Sequence, residues 1–127
     1  MKKKILMVDD DPEFVDAISN VLDAKGYDVK SAPNGVKGIE LAKEMIPDMI
    51  LLDVMMTTKT EGFDVAREMA EIEELKDCPL IMITGVRNDM NLPFGFEPDE
   101  NWLPVKEVLE KPIKPDVLLS TIEKYIK

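Results

Sequence analysis

Carboxylates stand directly after two apolar runs of this 127-residue sequence. Asp9, Asp10 and Asp11 follow the run KILMV, and Asp53 follows the run DMILL. Acids seldom end buried strands by chance, because charged groups are rarely buried without a partner. Two carboxylates about 4 Å apart repel each other by roughly 4 kcal/mol at an effective dielectric constant near 20. If these residues meet in the fold, the cluster therefore needs a cation or must retain a proton.

The residue types that the sequence lacks exclude several kinds of catalytic and metal site. The sequence contains no histidine and a single cysteine, Cys78. These counts exclude Ser-His-Asp and Cys-His catalysis, a histidine metal site, a phosphohistidine carried by this chain and an internal disulfide. We predict that Cys78, beside Pro79, lies at the edge of the core. Oxygen ligands without histidine or cysteine favour Mg²⁺ over zinc, and a Mg²⁺ ion with open positions recruits phosphate oxygens.

The composition is that of a globular protein, with 45% hydrophobic and 33% charged residues. The length suits one domain, spanning residues 1–127. A formal net charge of −10 disfavours nucleic acid, whose phosphate backbone requires clustered Lys and Arg. The first apolar run is too short for a signal peptide, and no stretch is long enough to cross a membrane. We therefore expect a cytoplasmic protein that binds neither nucleic acid nor membrane.

Short apolar runs alternate with helical patterns along the chain. Strands are predicted at residues 4–9, 27–32, 48–53, 79–84 and 105–110. Helices are predicted between Pro12 and Gly26, over residues 35–46 and 62–75, and from Pro115 onwards. Asp11 is the expected N-cap of the first helix, and Gly26 its expected C-terminal stop. This alternation predicts an α/β fold, with one doubly wound, five-stranded parallel sheet covered by helices on both faces.

The predicted sheet brings the acids together. Ligands of open parallel sheets bind beyond the carboxyl ends of the strands, where the strand order reverses. With the common order 2-1-3-4-5, the first and third strands are neighbours at that point. Asp9, Asp10 and Asp53 should then share one crevice. Thr84 ends the fourth strand and Lys111 follows the fifth, so that a hydroxyl and an ammonium group should flank the carboxylates.

At these residues the sequence resembles the receiver domains of two-component response regulators, and in particular stand-alone, chemotaxis-regulator-like receivers. The segments that carry the resemblance are ILMVDDDP, PDMILLDVMM, LIMITG and VLEKP, and they extend over essentially the whole chain. The acidic pair after the first strand, the aspartate after the third and the Lys-Pro after the fifth are together highly specific. The resemblance implies a flavodoxin-like fold and a signalling switch. Such a protein is not an enzyme with its own substrate, and at most promotes its own phosphorylation and dephosphorylation.

The resemblance also implies a magnesium site. Asp10 would ligate Mg²⁺ directly, and Asp9 mainly through water. Asp53 and the backbone carbonyl of Met55, two residues further on, would supply other ligands.

The remaining implied roles concern the phosphoryl group. Asp53 would be the phosphoacceptor, and a phosphohistidine on a sensor histidine kinase or phosphotransfer protein would be the donor. Thr84 would hydrogen-bond a phosphoryl oxygen, and Lys111 would pair with the phosphoryl group. The signal would then pass to a downstream protein target through protein–protein contacts.

Two segments depart from the family pattern. The family usually has a proline four residues after the phosphoacceptor and a glycine after eight, whereas here Thr57 replaces the proline and Gly62 lies nine residues on. The segment between Thr84 and Lys111 is several residues longer than usual, which predicts an atypical, shortened or replaced fourth helix. Val108 stands where the family has its switch aromatic. The usual coupling of the threonine to an aromatic ring therefore cannot operate in its usual form.

The long segment contains three aromatic residues, Phe94, Phe96 and Trp102. In one interpretation they form part of a partner-binding surface that phosphorylation rearranges. In the other, which we favour, they cover the sheet face that a missing helix leaves bare.

Three other functions compete with the phosphoacceptor switch. A flavodoxin-like electron carrier would share the fold, but three consecutive acids in its first loop would repel the flavin phosphate. A haloacid-dehalogenase-type phosphatase also uses aspartate and Mg²⁺, but it needs a D-x-D nucleophile motif after the first strand and a cap that 127 residues cannot supply. The closest rival is a degenerate receiver that acts as a phosphorylation-independent docking module. The complete acidic set argues against it, while the altered segments favour it.

Overall fold

The computed structural model describes residues 3–53, 61–75, 78–84, 107–110 and 113–126. Strands and helices alternate along these residues, as the sequence predicts. The strands are β1 (Lys4–Val8), β2 (Asp28–Ala32), β3 (Met49–Asp53), β4 (Leu80–Thr84) and β5 (Glu107–Glu110). The helices are α1 (Pro12–Ala24), α2 (Gly35–Met45), α3 (Glu61–Ala70) and α4 (Pro115–Tyr125), with a short 3-10 helix over Glu73–Leu75.

The strands form one parallel sheet in the order β2-β1-β3-β4-β5. The predicted order 2-1-3-4-5 is therefore confirmed, and the fold is the flavodoxin-like α/β fold. From β1 the chain runs outward to β2 and then returns past β1 to β3. The strand order thus reverses between β1 and β3, which are neighbours at the centre of the sheet.

Apolar side chains cover both faces of the sheet, because successive residues of a strand point to opposite faces. On one face α2 and α3 pack over Leu6 and Val8 of β1, and Cys78 lies at the edge of this layer as predicted. On the other face α1 and α4 pack over Ile5 and Met7. Burial on both faces explains why β1, β3 and β4 are nearly continuous apolar runs in the sequence, whereas the edge strand β2 contains the exposed residues Lys30 and Ser31.

Helix α1 begins and ends where the sequence predicts. Asp11 is its N-cap, and the Asp11 carboxylate accepts hydrogen bonds from the backbone N–H groups of Glu13 and Phe14. Pro12 lies in the first turn, where a missing N–H is tolerated. Gly26 has a φ of +89°, a left-handed conformation that residues with a Cβ atom rarely adopt.

Helix α2 ends at Met45, one residue earlier than predicted. Ile46 has left-handed backbone angles of φ 45° and ψ 71°, and Pro47 cannot continue the helix. Lys4, the first residue of β1, contacts this helix end. Its ammonium group donates to the carbonyl of Met45 at 2.5 Å, and its backbone N–H donates to the carboxylate of Asp48 at 2.7 Å. A cation at the C-terminus of a helix interacts favourably with the helix dipole.

The prediction of one helix over residues 62–75 was wrong. α3 ends at Ala70, and a separate 3-10 helix covers Glu73–Leu75. The N–H groups of Glu71 and Ile72 donate to the carbonyls three residues earlier, at 3.2 Å each. Because such bonds tighten the last turn, the α-helical spiral is not continued.

Some expectations concern residues outside the described ranges and stay predictions. They are the loop around Thr57, the replacement of the family's fourth helix and the role of the aromatic residues Phe94, Phe96 and Trp102. The helix labelled α4 here is the last one of the chain and a different element from the family's fourth helix. Among the described helices, none combines the length and the apolar character that crossing a bilayer requires.

Candidate functional site

β1 and β3 bring their terminal acids side by side. Val8 is paired with Leu52 in the register of the two strands. The next residues along these strands are Asp9 and Asp53. Because neighbouring parallel strands run in the same direction, both acids emerge at the carboxyl edge of the sheet, where the strand order reverses.

Asp9, Asp10 and Asp53 form one group, called the carboxylate cluster below. Each residue offers one carboxylate oxygen, and these three oxygens lie within 4.8 Å of one another. Asp9 is 5% exposed and Asp53 is 3% exposed, whereas Asp10 is open to solvent. The structure therefore brings the three aspartates together, as the sequence predicts.

Backbone groups hold Asp9 from two sides. Its N–H donates to the carbonyl of Ala32, the last residue of β2, at 3.0 Å. Its Oδ1 atom accepts a hydrogen bond from the N–H of Asp11 at 2.9 Å. This second bond was not predicted from the sequence, although the spacing could have indicated it, since aspartate side chains often accept the N–H two residues further on. The bond restricts the rotation of the Asp9 carboxylate.

The hydroxyl predicted beside the cluster belongs to Thr84, the last residue of β4, and the predicted lysine, Lys111, follows β5 in the sequence. In the register of β3 and β4, Asp53 is paired with Ile83, the residue before Thr84. Thr84 is itself paired with Glu110, the last residue of β5. The backbone of Thr84 therefore lies at the same edge of the sheet as the cluster. Lys111, which follows Glu110, and Met55 lie outside the described residues, so their positions stay predictions.

The charges of the cluster fit a divalent cation. At an effective dielectric constant near 20, the carboxylates of Asp9 and Asp53 would repel each other by about 3.5 kcal/mol at the outer separation of 4.8 Å. A cation among them would offset this repulsion. Asp9, Asp10 and Asp53 offer only hard carboxylate oxygens, which Mg²⁺ prefers over nitrogen or sulfur ligands. These residues therefore suit a magnesium site.

Comparisons with known proteins agree with this geometry. A family model described as the response regulator receiver domain matches residues 5–123. The DNA-binding dual master transcriptional regulator RpaA of Synechocystis sp. is 32% identical over 124 residues, which cover 98% of this chain and 49% of RpaA. Protein PilH of Pseudomonas aeruginosa is 29% identical over 119 residues, which cover 94% of this chain and 93% of PilH. The chain thus spans about half the length of RpaA and nearly all of PilH.

A solved structure shows the same fold. The chemotaxis response regulator CheY4 of Vibrio cholerae superposes with a TM-score of 0.85 at 25% identity, covering 99% of this chain and 100% of that chain. The family match begins in β1 and includes both strands that carry the carboxylate cluster. The sequence match, the shared fold and the acids at the strand ends together show that this chain belongs to the response regulator receiver domain family.

Proposed function

We propose that the chain is a phosphoacceptor signalling switch in which Asp53 is phosphorylated. The carboxylate cluster is the observation that carries the proposal, because its three oxygens lie within 4.8 Å of one another. Asp53 lies at the end of a fully buried strand, next to the exposed Asp10. Its carboxylate would be the nucleophile, since aspartate carboxylates form covalent phosphoryl intermediates.

The proposed donor is a phosphohistidine on a sensor histidine kinase or a phosphotransfer protein, because this chain has no histidine of its own. A carboxylate oxygen of Asp53 forms a bond to phosphorus while the P–N bond to the donor imidazole breaks. The imidazole nitrogen keeps the electron pair and takes up a proton. Such a transfer depends mainly on positioning and on the neutralisation of charge.

We propose that Mg²⁺ is the cofactor of this site. Asp9, Asp10 and Asp53 would hold it, together with the backbone carbonyl of Met55. Bound Mg²⁺ supplies positive charge that offsets the repulsion between carboxylate and phosphoryl oxygens. The chain's own contribution is to keep the acids close together and Asp9 in a fixed orientation, through the hydrogen bonds to Ala32 and Asp11.

Two further residues would contact the phosphoryl group. Thr84 would donate a hydrogen bond to a phosphoryl oxygen, and Lys111 would pair with the group as a compact positive charge. The pairing of Thr84 with Glu110, directly before Lys111, supports both assignments because it brings the ends of β4 and β5 to one edge.

The proposed switch signals by contact with a downstream protein. We assign residues 1–127 to one cytoplasmic receiver domain that acts as a switch and not as an enzyme with its own substrate. The net charge of −10 opposes direct contact with nucleic acid. DNA binding in the name of RpaA belongs to that protein, of which this chain spans 49%. A degenerate docking module gains no support from the described residues, because the acids whose loss would indicate one are all present.

Incubation with acetyl phosphate and MgCl₂, followed by intact-mass measurement, tests the proposal. We expect the wild type to gain the mass of one phosphoryl group, and to gain none in excess EDTA. Asp53→Asn keeps the size of the side chain but removes the nucleophile, so it should gain no mass.

Asp23→Asn is the matched control, because it removes the same charge from an exposed position of α1. It should be phosphorylated like the wild type. An adduct that persists on Asp53→Asn, or the absence of any adduct on the wild type with acetyl phosphate and phosphoramidate, would contradict the proposal.

A further inference from the structure

Asp11 connects the start of α1 to the carboxylate cluster. It is the exposed N-cap of the helix, and its Oδ1 atom accepts hydrogen bonds from the N–H groups of Glu13 at 3.1 Å and Phe14 at 3.4 Å. Its own N–H donates to Oδ1 of Asp9 at 2.9 Å. The same residue therefore bonds to the helix through its side chain and to a cluster carboxylate through its backbone.

The direction of the Asp11 N–H depends on the helix cap. The Asp11 carbonyl also accepts a hydrogen bond from the N–H of Val15 at 3.0 Å. With its side chain and its carbonyl both bonded to the first turn, the backbone of Asp11 has a fixed orientation relative to α1. The helix is in turn anchored on the sheet by the buried side chains of Ile18 and Leu22. The orientation of the Asp9 carboxylate is thus coupled to the core through α1.

We propose that Asp11 is a positioning residue for the cation site. By capping α1 it keeps its amide directed at Asp9, and so sets how the Asp9 carboxylate faces the rest of the cluster. The backbone of Asp9 is held separately, by the hydrogen bond to Ala32 in β2 at 3.0 Å. This inference rests on the proposed function, in which the cluster binds Mg²⁺. Groups that orient a metal ligand typically change metal affinity by about 10- to 100-fold when they are removed.

Three neutral variants separate the cap from the charge. Asp11→Asn, Asp11→Ser and Asp11→Ala all remove the same negative charge, but Asn and Ser keep a capping oxygen and Ala does not. The affinity for Mg²⁺ is measured by isothermal titration calorimetry at fixed ionic strength. We expect the dissociation constants of the Asn and Ser variants to agree within about twofold, and that of the Ala variant to be about fivefold higher or more.

A second readout follows the hydrogen bond itself. The amide of residue 11 should be protected from hydrogen exchange in the Asn and Ser variants and should lose protection in the Ala variant. Asn34→Ala is the control for helix capping in general. Asn34 caps α2 by accepting the N–H of Lys37 at 2.9 Å, and none of the described hydrogen bonds joins this cap to the cluster. Its loss should leave the Mg²⁺ affinity within about twofold of the wild type.

The outcomes distinguish the inference from the function on which it rests. Equal affinities in the Ala and Asn variants of Asp11, or an equal loss of affinity in Asn34→Ala, would overturn the positioning role. The proposed function would then survive, provided that the wild type binds Mg²⁺ and is phosphorylated on Asp53. If the wild type bound no Mg²⁺, the magnesium site in the proposed function and this inference would both be wrong.

Discussion

Asp53 is the last of five consecutive buried residues in β3, and it alone among them carries a charge. Burying a carboxylate is unfavourable unless its charge is compensated, and Asp9, directly after the neighbouring strand β1, adds a second buried acid. A pair of this kind indicates a site that works with a cation. The two acids could be recognised from the sequence because each one interrupts an apolar run at the point where a strand must end.

On the other side of the molecule, Tyr27 can be used to test the effect of burial on the pKa of a side chain. Desolvation by burial raises the pKa of the Tyr27 hydroxyl above its ordinary 10.0, and the negative charge of Glu123 raises it further. At a pH between the unfolded and folded pKa values, the native state binds more protons than the unfolded state. The free energy of unfolding therefore falls as the pH rises through this window, whereas the contribution is fully present below the ordinary value.

We expect the wild type to lose more stability than Tyr27→Phe between about pH 8 and pH 11, because phenylalanine has no proton to release. Urea unfolding at a series of pH values measures the difference, and pH effects common to both proteins cancel in the comparison. Tyr125→Phe controls for the loss of a hydroxyl from the partly exposed second tyrosine. Parallel curves for the wild type and Tyr27→Phe would show that Tyr27 does not cause the loss.

At the scale of the secondary-structure elements, the backbone is strained at the end of α2. Ile46 adopts a left-handed conformation at φ 45°, which costs about 1–2 kcal/mol for an ordinary residue and is least suited to a β-branched one. The hydrogen bond from Lys4 to the carbonyl of Met45 and the following Pro47 hold the chain in this turn. The side chain of Ile46 is 41% exposed, so that its packing compensates only part of the strain.

We expect Ile46→Asn to raise the free energy of unfolding by about 0.5–1 kcal/mol, because asparagine tolerates the left-handed conformation. Val36→Asn is the control, since Val36 is also β-branched, lies in the helix and is 69% exposed. Val36→Asn should change the free energy of unfolding by less than about 0.5 kcal/mol. Urea denaturation of both variants measures the effect, and an unchanged or lower stability of Ile46→Asn would contradict the strain argument.

At the scale of the whole molecule, the sheet topology concentrates negative charge that the chain already carries in excess. The net charge is −10, and three of the acids are gathered where β1 and β3 end. A ligand that binds only the folded state stabilises it, and at a hundred times its dissociation constant the gain is about 2.7 kcal/mol. The cation site should therefore be visible in global stability as well as in phosphorylation.

We expect Mg²⁺ to raise the free energy of unfolding of the wild type relative to EDTA at equal ionic strength. In EDTA, Asp53→Asn should be more stable than the wild type by about 1–3 kcal/mol, because it removes the repulsion with Asp9. The same variant should gain less from Mg²⁺. Asp23→Asn, at an exposed position, should differ from the wild type by less than about 0.5 kcal/mol. An Asp53→Asn variant that is less stable than the wild type in EDTA would contradict the repulsion argument.

The predictability of this fold differs between its elements for physical reasons. The cap at Asp11 and the stop at Gly26 could be predicted because each depends on a few neighbouring residues. The end of α3 at Ala70 could not, since the acidic segment after it is compatible with a longer helix and no residue type there marks the change to i→i−3 bonds. Local chemistry thus predicts a helix end that a glycine marks, as at Gly26, but not one that no such residue marks, as at Ala70.

By itself, the sequence determined the central strands, the α/β alternation and the acids at the strand ends, because burial of β1, β3 and β4 on both faces leaves nearly continuous apolar runs. Only the tertiary structure decided that Asp9, Asp10 and Asp53 lie within 4.8 Å of one another, since that distance depends on the pairing of β1 with β3, two strands far apart in the chain. It also decided that the bond from the Asp11 amide to Asp9, which the spacing permits, is formed. The sequence specifies the residue types, but the direction of a hydrogen bond depends on the conformation of the backbone around it.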